Sequence, residues 1–114
     1  MAKRKQRRRR EPPPTSEYTD ADGNVLVLRC ELSPGTVRKL GERLASDAAS
    51  LDDDWARREE LLFERLAVSW TIAGLPIDDQ RTLLGRYRMA SADERRWVRE
   101  TIAGHVERFL PELS

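Results

Sequence analysis

One cysteine, one histidine and three lysines among 21 basic residues mark how little of some chemistries this 114-residue chain holds. A lone Cys30 excludes an intramolecular disulfide and any metal cage built from thiolates. His105 has no Ser, Cys or second His in a pattern beside it, so no nucleophile–base pair and no histidine metal set can be drawn. No run approaches the roughly 18 apolar residues of a membrane helix, and no glycine-rich phosphate loop is present. Pro12 to Pro14 stand where a secretory leader would place its apolar segment. These scarcities predict a cytoplasmic, non-enzymatic protein with no cofactor, no metal, no small-molecule substrate and no membrane partner. The excess of arginine over lysine, with abundant alanine, is the codon bias of a GC-rich and hence bacterial genome.

What the chain has in quantity is charge, at 36% of residues against 39% hydrophobic, which predicts a heavily ionised surface around a modest core. The net charge of +1 conceals an asymmetry. Residues 1–11 carry seven basic side chains and one acidic, a net +6; the other 103 carry fourteen basic and nineteen acidic, a net −5. This is an acidic body with a cationic arm.

The arm, residues 1–16, is expected to be disordered. Its like charges repel, its prolines favour an extended polyproline II course, and it offers nothing to bury. Lys3, Arg4, Lys5, Arg7, Arg8, Arg9 and Arg10 suit neutralisation of phosphates, arginine in particular because its planar fork makes paired hydrogen bonds without losing its charge. A solubilising tail, an arm folded back on the acidic body, or a nuclear import signal are the other readings of the same composition.

Residues 17–114 read as a small helical domain with an N-terminal β-hairpin, a mostly α fold of one hairpin and four helices. In the stretch from Glu17 to Leu32, Asp22-Gly23 supplies turn chemistry, and Leu26, Leu28, Cys30 and Leu32 alternate with Val25, Val27, Arg29 and Glu31. Asp20, Asp22, Asn24 and Glu31 have partial calcium-loop spacing, but Val25 stands where that loop needs glycine, so a turn is expected and not a metal site. Ser33-Pro34 starts a helix, with Val37, Leu40 and Leu44 inward to about Ala45. A second helix opens near Ser50 or Asp52, where Asp52 to Asp54 favour the positive end of the helix dipole. The pattern Leu62, Phe63, Leu66, Ala67, Trp70, Ala73 predicts that this helix runs to Gly74, with Pro76 just beyond. A third spans Ile77 to Ala90, with Leu83, Leu84 and Tyr87 inward. Ser91-x-x-Glu94 forms a capping box for the last. Trp97, Val98, Ile102, Val106 and Phe109 make its stripe, and His105 sits at the stripe's boundary.

The central helix would also carry Leu61, Val68, Ile72 and Leu75 on its second side, a face for a protein partner or for homodimerisation about a two-fold axis. A secondary phosphate-facing patch is offered by Arg86, Arg88, Arg95, Arg96 and Arg99 around the last helix corner; the alternative is that carboxylates of residues 52–60 pair with them. That corner invites comparison with helix-turn-helix readers, but its second helix opens Ala-Asp-Glu, which repels phosphates. Two functions follow. One is an accessory protein contacting RNA or DNA through the arm with low sequence specificity; the other is an adaptor or assembly chaperone docking a partner on the apolar face.

Overall fold

A computed structural model describes residues 14–46 and 51–113, with the side chains at 46 and 51–56 outside that description. The arm cations and the side chains of Leu51, Asp52 to Asp54 and Trp55 therefore lie outside the described residues. Strands β1 (Thr15–Thr19) and β2 (Val25–Arg29) form the expected hairpin, though β1 begins inside the range assigned to the arm. Its turn is organised by Asp20, whose carboxylate accepts from the N–H groups of Asp22 (2.8 Å) and Asn24 (2.9 Å) and from the Asn24 side-chain amide (3.0 Å). The carboxylate that opened the calcium-like spacing thus holds backbone.

Helix α1 (Pro34–Ser46) follows with Ser33 Oγ accepting from Thr36 N–H, and then α2 (Leu51–Leu66). Here the structure overturns the expectation of one hairpin and four helices with a central helix to Gly74. The second helix stops at Leu66, and the chain makes two more strands, β3 (Ala67–Ile72) and β4 (Leu75–Ile77). Among the described residues the fold has four helices and a four-stranded antiparallel sheet in the order β1-β2-β3-β4. The cause is local chemistry. Val68, Trp70, Thr71 and Ile72 are β-branched or aromatic residues that prefer a pleated surface to a helix. Ala73-Gly74 then makes a two-residue hairpin loop with both φ values positive, 52° and 81°, as a type I′ turn requires. Pro76, read as a residue beyond a helix end, instead sits in the edge strand β4 opposite Thr71, where a missing N–H is tolerated.

The misleading period has a physical origin. Leu28 pairs with Ala67 while Val27 pairs with Ser69, a register shift that leaves Val68 as an extra residue in β3. Such a bulge brings Ala67 and Trp70, three apart, to the same side. Both are buried on the helix-covered face, as they would have been on a helix.

Helix α3 (Gln80–Arg88) is capped by Asp79, which accepts from Thr82 N–H (3.0 Å) and Thr82 Oγ1 (2.9 Å). Ile77, expected to open that helix, belongs to β4. Helix α4 (Ala92–Phe109) opens on the expected capping box, Ser91 and Glu94 satisfying one another's backbone N–H groups, and a 3₁₀ turn (Pro111–Leu113) closes the described chain. The helices cover one face of the sheet. Leu26, Leu28 and Trp70 meet Leu40 and Leu44 of α1, Phe63 and Leu66 of α2, Leu83 and Tyr87 of α3, and Val98, Ile102 and Val106 of α4 in a single core. Phe63 is its hinge point, stacked on Tyr87 at 4.8 Å and edge-on to Trp70 at 5.9 Å.

Ala73 is a non-glycine residue at positive φ, and its N–H donates to Asn24 Oδ1 across the sheet at 3.0 Å. An L-residue in that region costs about 1–2 kcal/mol, and glycine at the same place costs about 0.4–1 kcal/mol in unfolded-chain entropy. Ala73→Gly should therefore raise stability by somewhat under about 1 kcal/mol, read as a higher urea midpoint at unchanged slope. A lower midpoint would show that the turn is unstrained.

Candidate nucleic-acid interface

The chain enters the described structure at one end of the sheet. Cys30 N–H donates to the Pro14 carbonyl at 2.9 Å, and Thr15 pairs with Arg29. Arg29 lies at this end, its guanidinium donating to the carbonyls of Arg65 (3.2 Å) and Ala67 (3.3 Å), where α2 passes into β3. Arg65 itself is exposed. Asp20 and Asp22 occupy the opposite end of the same hairpin. Pro14, the first described residue, thus lies at the sheet end that bears Arg29 and Arg65 beside Glu31, opposite the acidic turn; Lys3, Arg4, Lys5 and Arg7 to Arg10 precede it in the chain, outside the described residues.

The sheet face away from the helices carries Glu17, Val27 and Ser69 in one row and Thr19, Val25 and Thr71 in the next, none of them buried. No aromatic ring lies on that face among the described residues, so it is no platform for stacked bases.

At the corner between α3 and α4 the arginines meet carboxylates. Arg86 pairs with Glu94 at 2.9 Å, and its guanidinium also lies 5.3 Å from the centre of the Trp70 ring. Arg88 makes two bonds to Glu60, at 3.0 and 3.2 Å. Arg96 stands 3.8 Å from Asp93, and Arg99 Nε 3.4 Å from Glu59. Arg95 is exposed and contributes its positive field to Glu59 and Tyr87. The hydrogen bond from Arg86, with the Ser91 N–H, holds the Glu94 carboxyl below its usual range. Glu59 shifts the other way: burial raises its pKa against the opposing pull of Arg99 and the Tyr87 hydroxyl, which donates to it at 3.2 Å. Burial and the neighbouring Glu59 raise Tyr87 well above the ordinary phenol range. Beside this cluster lies a cavity of about 260 Å³, walled by Leu62, Ile102, Val106 and Leu113. Arg58 at its edge donates to the Leu113 carbonyl at 3.0 Å, and Glu59 and Arg99 there face one another.

The chain matches no protein-family model, and neither the curated proteins nor the solved structures contain one to which it shows similarity. Function has to be read from the geometry. Among the described residues no helix is long and apolar enough to cross a membrane.

The residues expected to form an apolar partner face do not share one helix. Leu61 lies on α2, half-buried against the core; Val68 is the bulge residue and Ile72 a half-buried core contact, both on β3. Only Leu75, on the edge strand, is largely exposed, at 71%. The proposed two-fold contact through that helix face loses its geometry with the helix.

His105 was placed at the stripe's boundary; the structure encloses it, 1% exposed, as the one polar residue in the described core. Its Nε2 lies 2.7 Å from the Arg29 carbonyl, which can only accept, so Nε2 carries the proton. Nδ1 then accepts from the Tyr18 hydroxyl at 2.7 Å, and Phe109 closes the other side with ring centres 5.0 Å apart. One imidazole ties α4 to both strands at the root of the arm. The signal was present in the spacing, since 98, 102, 105, 106 and 109 are successive positions of one helix face.

Burial, followed by the nearby Arg108 charge, holds the His105 imidazole below its ordinary 6.5, opposed by the hydrogen bond to Arg29. The folded protein keeps it neutral while the unfolded chain takes up a proton near the ordinary value. Stability should therefore fall as pH drops below about 6.5, by at most about 1.4 kcal/mol per pH unit, until the folded pKa is reached. Glu59, raised above 4.5, acts in the opposite sense at lower pH. Urea titrations between pH 7.5 and 5.5 on the wild type and His105→Gln isolate the histidine. Equal slopes against pH in the two proteins would show that His105 is not responsible.

Proposed function

We propose that this is a non-enzymatic accessory protein that contacts nucleic acid, RNA or DNA, through its basic N-terminal arm with low sequence specificity. The observation that carries the reading is the separation of charge. The arm is +6 and the rest of the chain −5, and four of the five corner arginines that would form a second patch, Arg86, Arg88, Arg96 and Arg99, pair with Glu94, Glu60, Asp93 and Glu59. A body of that sign repels phosphates, so affinity has to come from Lys3, Arg4, Lys5 and Arg7 to Arg10. The sheet end where Pro14 lies carries Arg29 and Arg65 beside Glu31, and the open face bears no aromatic ring among the described residues, which favours backbone phosphate as the recognised feature.

The reading is tested by crosslinked capture from lysate with and without nuclease, using the full chain and a full-length variant whose seven arm cations are glutamine. Nuclease-sensitive capture that disappears in the variant supports it. Nuclease-resistant capture of a protein sinks it and favours the adaptor role, which would fall to the β3–β4 hairpin where Leu75 is exposed.

A further inference from the structure

Along the outer edge of β1, backbone hydrogen-bonding groups stand open in a row. Asp20 N–H donates to the Asn24 carbonyl at 3.0 Å and Cys30 N–H to the Pro14 carbonyl at 2.9 Å. Bonded and unbonded pairs alternate in an antiparallel ladder, so Ser16–Leu28 and Tyr18–Leu26 are the bonded pairs between those two. Thr15, Glu17 and Thr19 therefore turn their N–H and C=O groups away from β2. No strand lies beyond them among the described residues.

The opposite edge of the sheet is built differently. Ile72 and Leu75 flank the two-residue turn as its bonded pair, so Pro76 is the β4 residue that faces outward. It has no N–H to offer, and β4 is only three residues long. A short edge with a proline resists an added strand, whereas the five residues of β1, without proline, lysine or bulge, invite one.

The side chains of β1 state what such a strand must carry. Glu17, exposed, is the middle one of the three open residues, and the row it shares across the open face holds Val27 and Ser69, with no cation. A second copy paired antiparallel, in the register that satisfies all three residues, sets Glu17 against its own counterpart. Like charges directly opposite destabilise a strand pair, and opposite charges stabilise it. On the helix-covered side Tyr18 is half-buried, its ring packed on the core and its hydroxyl held by His105.

We propose that β1 accepts an extended segment of a partner protein as a fifth, antiparallel strand with lysine or arginine opposite Glu17. An apolar residue of that segment lies beside Tyr18, and β-branched residues lie opposite Thr15 and Thr19. Main-chain bonds to the three open residues supply affinity, and the alternating side chains supply the choice of partner. So short a strand pair is weak alone. It forms where partner and chain are already held close, as on one polyanion, and is not what a nuclease-treated capture retains. That last step rests on the nucleic-acid reading; the edge itself does not.

The probe is an acetylated and amidated peptide, Val-Thr-Val-Lys-Val-Thr-Val, added at millimolar concentration to the isotope-labelled full chain without nucleic acid. Amide hydrogen exchange is read residue by residue. In the free chain the Ser16 and Tyr18 amides should be protected and those of Thr15, Glu17 and Thr19 should exchange freely. The peptide should slow exchange at those three and leave β4 unchanged. Glutamate in place of the peptide's lysine should weaken binding about three- to tenfold, and Glu17→Lys in the chain should reverse the preference between the two peptides. Retained protection of Ser16 and Tyr18 shows that this variant is folded. The proposal is overturned if neither peptide alters the three amides, if both act equally, or if the changes are confined to β4. Protection of the three amides already present in the free chain also overturns it. Protection that grows with protein concentration assigns the edge to a second copy, and protection independent of concentration assigns it to the chain itself.

Discussion

Replacing the seven arm cations by glutamine should flatten the salt dependence of nucleic-acid binding almost to zero. In the unmodified chain, five to seven arm cations each neutralising a phosphate give a slope of log K against log salt of about −4 to −6 on duplex DNA, and somewhat less steep on single strands. Each neutralised phosphate releases condensed counterions, and the slope counts them. Nothing in the rest of the chain replaces the lost cations, because its own net charge is −5. Fluorescence anisotropy of a labelled duplex between about 50 and 200 mM salt measures the slope directly. Unchanged binding in the glutamine variant, with loss on Arg95/Arg96/Arg99 substitution, would move the interface to the corner between α3 and α4. Affinity that varies strongly with duplex sequence would also count against the reading, because phosphate contacts position a protein without reading bases.

The second large effect is on the fold. Trp70→Ala should remove roughly 3–5 kcal/mol of stability, the range for truncating a large aromatic residue in a core. Trp70 is 2% exposed, pairs with Leu26 across β2, and meets the Phe63 ring. Its indole N–H has no hydrogen-bond partner among the described residues, so the side chain contributes through volume and ring contact alone. Trp70→Phe should then cost far less than Trp70→Ala, since no buried hydrogen bond is given up. Urea unfolding of both variants makes the comparison. A loss under about 1 kcal/mol for alanine would mean that the β3 face is turned outward.

Trp70 also shows how far the sequence can be read. Its burial was legible from spacing, but the element carrying it was not. A helical period and a bulged strand place Ala67 and Trp70 on one side alike, so periodicity could not separate them. The distinguishing signs were compositional and short: β-branched density from Val68 to Ile72, then Ala73-Gly74 as turn residues. The first hairpin was legible because Asp22-Gly23 and strict alternation coincide, and the last helix because Ser91 and Glu94 form a reciprocal cap. At the site, the charge of the arm belongs to the sequence itself, and its cations lie outside the described residues. The pairing of the corner was only partly legible. Asp93–Arg96 is a local helix pair, whereas Arg88–Glu60 and Arg99–Glu59 join helices distant in sequence. Their existence depends on how α3 and α4 dock against α2, which no spacing rule supplies. His105 was missed for a related reason, because its partners, Tyr18 and the Arg29 carbonyl, lie on strands at the other end of the chain.

The order of the sheet sets how this chain must assemble. The two outer strand pairs close over short turns, at Asp20–Asn24 and Ala73-Gly74, and can form as soon as those turns do. The seam between β2 and β3 joins strands separated in sequence by the whole of α1 and α2. Closing so large a loop costs entropy before its contacts are made, and distant pairings of this kind slow folding. The rate-limiting event is then the zipping of two preformed ribbons along Leu26–Trp70 and Leu28–Ala67. Substitutions at that seam should slow folding, whereas those at β4 should mainly hasten unfolding. During that wait the inner edges of both ribbons are unpaired strands, and until they meet each can pair with the same ribbon of another nascent chain.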